Sequence, residues 1–233
     1  VTSRPDSGKT TFLCSESTFM AKQLPIEKDV FWANNEEVPL KVKQRIFQAA
    51  LGMSKGDMED DPMLTSKLLE DALGRTDRFK MYHDSAMTVR GVNNALTKCN
   101  PGLIIFDQLW KVDGFPGSHS EVDKMTKLFG WARSLAEKYD CPVVNVHQAD
   151  GSASGEAYIQ MHQMYNSKTG IQGEADAILG IGKSFDPSLS DNTRFLHISK
   201  NKLDGGKRSD PKQRNGKWEV EILPEIARFK GSL

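Results

Sequence analysis

Ser3-Arg4-Pro5-Asp6-Ser7-Gly8-Lys9-Thr10-Thr11 is the stretch on which the fold of this 233-residue chain turns. A turn that ends in Gly-Lys-Thr-Thr and runs into a helix is built to hold phosphate. Successive backbone N–H groups and the helix N-terminus converge on the anion, the lysine ammonium adds a mobile positive charge, and the first Thr hydroxyl serves Mg²⁺. Gly8, Lys9 and Thr10 fill those places. The full pattern has a Gly five residues before Gly8, where this chain has Ser3, so an ordinary Gly-containing turn ahead of a helix is the competing reading. A phosphate loop also needs a buried strand before it and a helix after it. Residues 12–22 read as helix, but only Val1 and Thr2 precede the loop. The sequence therefore predicts that the delivering strand is absent and that the chain is a piece of a longer polypeptide whose missing part lies upstream.

Working outward, 38% apolar and 27% charged residues are ordinary for a water-soluble α/β domain, and the length is enough for one substantial core. No apolar run approaches the roughly 20 residues that span a bilayer, and no signal-peptide pattern is present. Cys14, Cys99 and Cys141 are odd in number, far apart and flanked by apolar segments. They read as reduced, packed thiols of a cytoplasmic protein. With 31 basic against 31 acidic residues the chain is not a polycation that coats nucleic acid indiscriminately. Charge does cluster locally: Lys200, Lys202, Lys207, Arg208, Lys212, Arg214 and Lys217 face only Asp204 and Asp210 over that stretch. A solvated loop is the alternative there.

Short apolar or β-branched runs at 30–33, 79–82, 103–106 and 143–146 alternate with helix-period patterns at 41–51, 63–73, 89–98 and 122–139, the signature of a parallel sheet covered by helices. From 149 to 173 the chain turns to Gly, Ser, Gln and Asn, and a loop of that length is functional or disordered. Strand-like runs at 177–181, 194–199, 218–222 and 226–229 follow, joined by turn residues. The fold class is thus α/β, a mostly parallel sheet flanked by helices that ends in antiparallel strands and hairpins, in one domain over 1–233.

In such a sheet, ligands sit at the carboxyl ends of strands. Asp107 directly follows the run 103–106, the placement of an aspartate that holds Mg²⁺. Glu36 and Glu37 lie just past the run 30–33, where a carboxylate reaches the water that attacks a phosphate. Glu36 is the choice; capping of the next helix is the alternative use of either. His147 and Gln148 follow the run 143–146. An uncharged donor there, Gln148 first and His147 second, can sense a γ-phosphate, although a residue at a strand end also serves as a loop anchor.

These motifs, in this order, resemble the RecA-like ATPase core of DnaB-type replicative helicases, including phage primase-helicases, over nearly the whole chain. Arg4-Pro5 before Ser-Gly-Lys-Thr-Thr is similar to that family's phosphate loop, in which the leading Gly is often another small residue such as Ser3. ANNEE (33–37), FDQL (106–109), NVHQ (145–148), GEADAILGI (173–181) and SKNKLDGG (199–206) resemble its strand-end and hairpin segments. The resemblance implies a Mg²⁺-dependent motor that hydrolyses ATP or another NTP, moves along single-stranded DNA as a homo-hexameric ring and unwinds duplexes, with a primase domain or protein as a further partner and no membrane. It implies nucleotide binding by Ser3, Arg4, Pro5, Ser7, Gly8, Lys9, Thr10 and Thr11, and metal binding by Thr10 and Asp107. Glu36, Lys9, Gln148, Lys200 and Lys202 carry catalysis, the last two reaching a neighbour's site. Lys202 stands where the family usually has Arg, and Lys lacks the bidentate fork. DNA contacts fall to Asn166, Ser167, Lys168, Thr169 and Gly170. Tyr158, Met161 and Tyr165 either stack on bases or pack a short helix. Two other uses of the same core stay open: a RecA- or KaiC-like recombination or regulatory ATPase, and a slow nucleotide-gated clamp or loader on DNA.

Overall fold

The computed structural model describes residues 1–115, 117–118, 120–165, 170–203 and 214–231. In chain order the elements are β1 (Thr2–Ser3), α1 (Lys9–Ala21), β2 (Asp29–Asn34), α2 (Pro39–Leu51), α3 (Lys55–Asp60), α4 (Pro62–Leu73), β3 (Phe79–His83), α5 (Val89–Leu96) and β4 (Pro101–Asp107). There follow α6 (Glu121–Tyr139), β5 (Val143–Asn145), β6 (His147–Gln148), α7 (Gly170–Glu174), β7 (Ala177–Gly182), β8 (Thr193–Asn201), β9 (Lys217–Leu223) and β10 (Arg228–Gly231).

The strands run β3-β2-β4-β5 in one sheet and β6-β1-β7-β8-β9-β10 in the other. Residues 143–148 join the two. Val143 and Val144 pair with Ile104 and Ile105 of β4, and the Val146 N–H still donates to the Phe106 carbonyl. His147 and Gln148 then pair with Thr2 and Ser3. The expected strand at 143–146 is therefore a switch segment between two neighbours. The sheet is parallel from β3 to β7 and antiparallel from β8 onward.

The delivering strand that the sequence predicts to be absent is present. Thr2 and Ser3 form a buried two-residue strand held on both sides, by β6 and by β7. Two residues are too few to show a period, but neighbours on each flank satisfy their backbone groups. Other boundaries move by a few residues. The first helix opens at Lys9 rather than 12, and the last strand opens at Arg228, after a one-turn helix over Pro224–Ile226.

The alternation of β2 and β4 builds the core. Val30, Trp32, Leu103 and Ile105 face α1, α2 and α4 with Leu13, Cys14, Val42, Ile46, Leu69 and Leu73. Phe31, Ala33, Ile104 and Phe106 face α5 and α6 with Val92, Leu96, Met125, Leu128, Phe129 and Leu135. Strands covered on both faces are why 30–33 and 103–106 read as unbroken apolar runs. Each of the fully buried side chains Trp32, Phe31 and Phe106 contributes about 1.5–3 kcal/mol by leaving water. Cys14, Cys99 and Cys141 are free thiols, as their spacing suggests. Among the described residues no helix is long and apolar enough to cross a membrane.

Candidate nucleotide site

The loop between β1 and α1 turns on two left-handed residues, Asp6 (φ 57°) and Gly8 (φ 95°). A side chain at Gly8 would be strained by that φ, and its Cβ would lie 2.7 Å from Ile222 Cδ1. Among the described residues the N–H groups of Asp6, Ser7 and Gly8 find no acceptor, which leaves a concave run of donors at the start of α1. Three side chains brace the loop from outside. Arg4 Nη1 donates to the Ala149 carbonyl at 3.0 Å, tying the loop to the end of β6. Ser3 Oγ donates to the Arg4 carbonyl at 2.9 Å, and Arg194 Nε donates to the Ser7 carbonyl at 3.0 Å. Thr11, one residue into α1 from Thr10, is half-buried, and Pro5 is exposed on the outer turn.

Lys9 and Thr10 are buried. Lys9 Nζ donates to the Arg4 carbonyl at 3.1 Å, folded back along its own loop. Burial holds its ammonium below the ordinary lysine value, opposed first by the charge of Glu36 and then by that of Asp107. Thr10 Oγ1 donates to Asp107 Oδ2 at 3.3 Å, which joins the loop to the end of β4. Asp107 is 0% exposed, and its Oδ1 has no hydrogen-bond partner among the described residues. Burial first, and the Glu36 charge second, push its carboxyl up to about 7, against the Thr10 hydroxyl and Lys9. A buried carboxylate with one orphaned oxygen beside a Thr hydroxyl is the donor set of a hard divalent cation, and the residues fit Mg²⁺.

Glu36 and Glu37 part company beyond β2. Asn34, wholly buried, accepts the N–H groups of Glu36 and Glu37 on its Oδ1 at 3.2 and 3.3 Å and donates to the Glu37 carbonyl at 2.7 Å. This local turn fixes the backbone of both glutamates. Arg45 Nη1 then takes both Glu37 oxygens at 2.7 and 2.9 Å. Glu36 is exposed on the loop side and is the carboxylate that acts most strongly on Lys9. Asn35 reaches across to β4: its side chain donates to the Gln108 carbonyl at 3.1 Å and accepts the Gln108 N–H at 2.7 Å.

His147 and Gln148, successive in β6, face opposite sides of the sheet. His147 is buried, its Nε2–H donates to the Tyr165 carbonyl at 2.6 Å, and its ring stands edge-on to Phe129. It is a loop anchor. Gln148 lies level with Ser3, beside the phosphate loop. Tyr158 stands edge-on to Phe195 with ring centroids 5.3 Å apart, Met161 packs on the core, and Tyr165 is exposed.

Lys200 and Lys202 are elsewhere. Lys200 pairs with Ile178, near the start of β7, whereas Ser3 pairs with Ile181. Both lysines turn to the C-terminal carbonyls of α7, Lys200 to Gln172 and Lys202 to Gly173. Asn166, Ser167, Lys168 and Thr169 lie outside the described residues, as do Lys207, Arg208 and Lys212, and Gly170 opens α7.

Asn34, Asn35, Arg45 and Arg194 support the site and do not stand out in the sequence. The two asparagines carry a faint signal, Asx residues at a strand end ahead of acidic ones. Arg194 carries none, because its partner is a backbone carbonyl 187 positions away. A cleft of about 280 Å³ opens beside the loop, lined by Arg4, Asp6, Ser7, Gly155, Lys183 and Phe185 among others.

A family model described as an AAA domain matches residues 1–152. No curated protein matches the chain in sequence. Among solved structures, an ATPase domain superposes with a TM-score of 0.76 at 15% identity, over 100% of this chain and 83% of its own. A DnaB-like replicative helicase, solved with its interactions with primase, superposes with a TM-score of 0.76 at 15% identity, over 100% of this chain. The chain spans 58% of that helicase's length. At these identities the likeness establishes the fold alone, a RecA-like α/β core.

Proposed function

The chain belongs to the AAA domain family, and from that premise we propose that it is the motor of an ATP-driven DNA helicase. One observation carries this reading. The loop at the start of α1 and the end of β4 meet through Thr10 and Asp107, with Lys9 and the exposed Glu36 close enough for their charges to act on one another. That is the constellation of nucleoside triphosphate hydrolysis, and the RecA-like core supports its use in a DNA motor.

The N–H groups of Asp6, Ser7 and Gly8 and the Lys9 ammonium bind the β- and γ-phosphates, with Lys9 leaving the Arg4 carbonyl to do so. Ser3, Arg4, Pro5 and Thr11 complete the cradle, and the cleft beside Phe185 receives the base. Thr10 and Asp107 hold Mg²⁺. When bound, that ion neutralises charge developing on the phosphate oxygens. Glu36 orients the attacking water and takes its proton, and Gln148 contacts the γ-phosphate and relays its loss along β6 to the loop that follows. Lys200 and Lys202 act on the next subunit of a homo-hexameric ring. Asn166, Ser167, Lys168, Thr169 and Gly170 track single-stranded DNA by its phosphates. A primase is a further partner.

The test is ATP hydrolysis with and without single-stranded DNA. The wild type is expected to hydrolyse ATP faster when DNA is present, and Lys9→Ala and Glu36→Gln each to lose that stimulated turnover by about 10²-fold or more. Unchanged turnover in either variant would overturn the assignment.

A further inference from the structure

We infer that Arg194 is a positioning residue of the phosphate loop, holding the Ser7 carbonyl outward so that the N–H groups around it converge on bound phosphates. Arg194 sits near the start of β8 and is 6% exposed. Its Nε–H donates to the Ser7 carbonyl at 3.0 Å, and Nη1 donates to the carbonyls of Asp191 at 2.6 Å and Thr193 at 2.8 Å. Every hydrogen-bond partner it has among the described residues is a backbone carbonyl; Asp191 reaches it by charge only through space.

A buried guanidinium without a paired carboxylate is a costly element. Its placement under this particular carbonyl has a direct geometric effect. A trans peptide is a rigid plane in which C=O and N–H point in opposite directions. Fixing the Ser7 carbonyl outward therefore aims the Gly8 N–H inward, into the concavity formed with the left-handed Asp6 and Gly8. Were that plane to flip, a carbonyl oxygen would face the phosphates in place of a donor, and the anion site would be lost without any change in Lys9 or Thr10. Gly8 has the backbone freedom to permit such a flip, and the Arg194 bond opposes it. None of the catalytic carboxylates depends on this bond, because Asp107 and Glu36 are held by Thr10 and Asn34.

The inference rests on the loop being a nucleotide site, and the experiment separates the two. Equilibrium binding of a non-hydrolysable ATP analogue and steady-state kinetics are measured for the wild type, Arg194→Lys and Arg194→Gln, well below each protein's thermal midpoint. Both Kd and KM are expected to rise about tenfold or more in each variant while kcat stays within about threefold of wild type. A residue that serves stability alone would lower the midpoint and leave Kd in the folded protein unchanged, which overturns the inference. Loss of kcat at constant KM, or failure of both variants to fold, overturns it as well. If the wild type does not bind the analogue, the functional reading itself falls.

Discussion

Single residues at the site fall into pairs that chemistry treats alike and structure separates. Glu36 and Glu37 are adjacent in sequence, yet only Glu37 is engaged by a guanidinium, with Arg45 on both of its oxygens. A half-exposed ion pair of this kind contributes little. Glu37→Gln is expected to change kcat by less than about fivefold, since a pair of this kind is worth at most about 1 kcal/mol. Equal losses in Glu36→Gln and Glu37→Gln would show that the two carboxylates are not separated in this way. His147 and Gln148 divide similarly. Burial holds the His147 imidazole below its ordinary value, against the hydrogen bond to Tyr165. A histidine whose folded value is depressed supports the fold fully above its unfolded value, about 6.5, and loses that support as pH falls through the folded value. Urea unfolding midpoints measured from pH 7 down to pH 5 are expected to decline more steeply in the wild type than in His147→Gln. Parallel curves would refute the buried neutral imidazole.

At the scale of elements, two buried arginines clamp turns and a helix end to the sheet through carbonyls. Arg194 does so beneath the phosphate loop. Arg78, ahead of β3 and 3% exposed, donates to the carbonyls of Leu73, Leu24 and Pro25 at 3.0, 2.7 and 2.8 Å, closing the end of α4 and the turn after α1. Arg78→Met removes three hydrogen bonds from a charged donor, the one to Leu73 buried and the other two partly so, at about 1.5–3 kcal/mol each. A loss of at least about 3 kcal/mol in chemical unfolding is expected; a loss below about 1 kcal/mol would mean that water replaces the guanidinium. Neither clamp is visible in the sequence, because a backbone carbonyl carries no residue signature. What was legible follows the same logic. Buried strands such as β2 and β4 announce themselves because both faces are apolar, and Asp107 and Glu36 stand out because each is the first charge after such a run. β1 was not legible, since its two residues acquire strand character only from β6 and β7 on either side. The split of 143–148 between β4 and β1 escaped for a related reason: alternation records which face a side chain takes and not which strand lies alongside.

For the whole molecule, the geometry sets a condition on activity. Ile181 lies level with Ser3, while Lys200 lies level with Ile178, three residues nearer the start of β7. At about 3.3 Å per residue that is roughly 10 Å along the sheet, in the direction opposite to the one in which the phosphate loop leaves β1. Lys200 and Lys202 are engaged there with the carbonyls of Gln172 and Gly173. If these lysines serve hydrolysis, they serve a second copy of the chain, and a site is complete only at an interface. Subunit mixing tests this directly. Lys9→Ala has an inactive loop with intact lysines, and the double variant Lys200→Ala with Lys202→Ala has an intact loop without them. Each alone is expected to be nearly inactive. Mixed in equal amounts and reassembled, about a quarter of the interfaces pair an intact loop with intact lysines by random assortment in a cyclic ring, and DNA-stimulated turnover should recover to roughly that share. A mixture no more active than its components, or a lysine variant with wild-type turnover, would mean that the lysines belong to their own subunit, as a latch on α7, and that the catalytic charge comes from elsewhere.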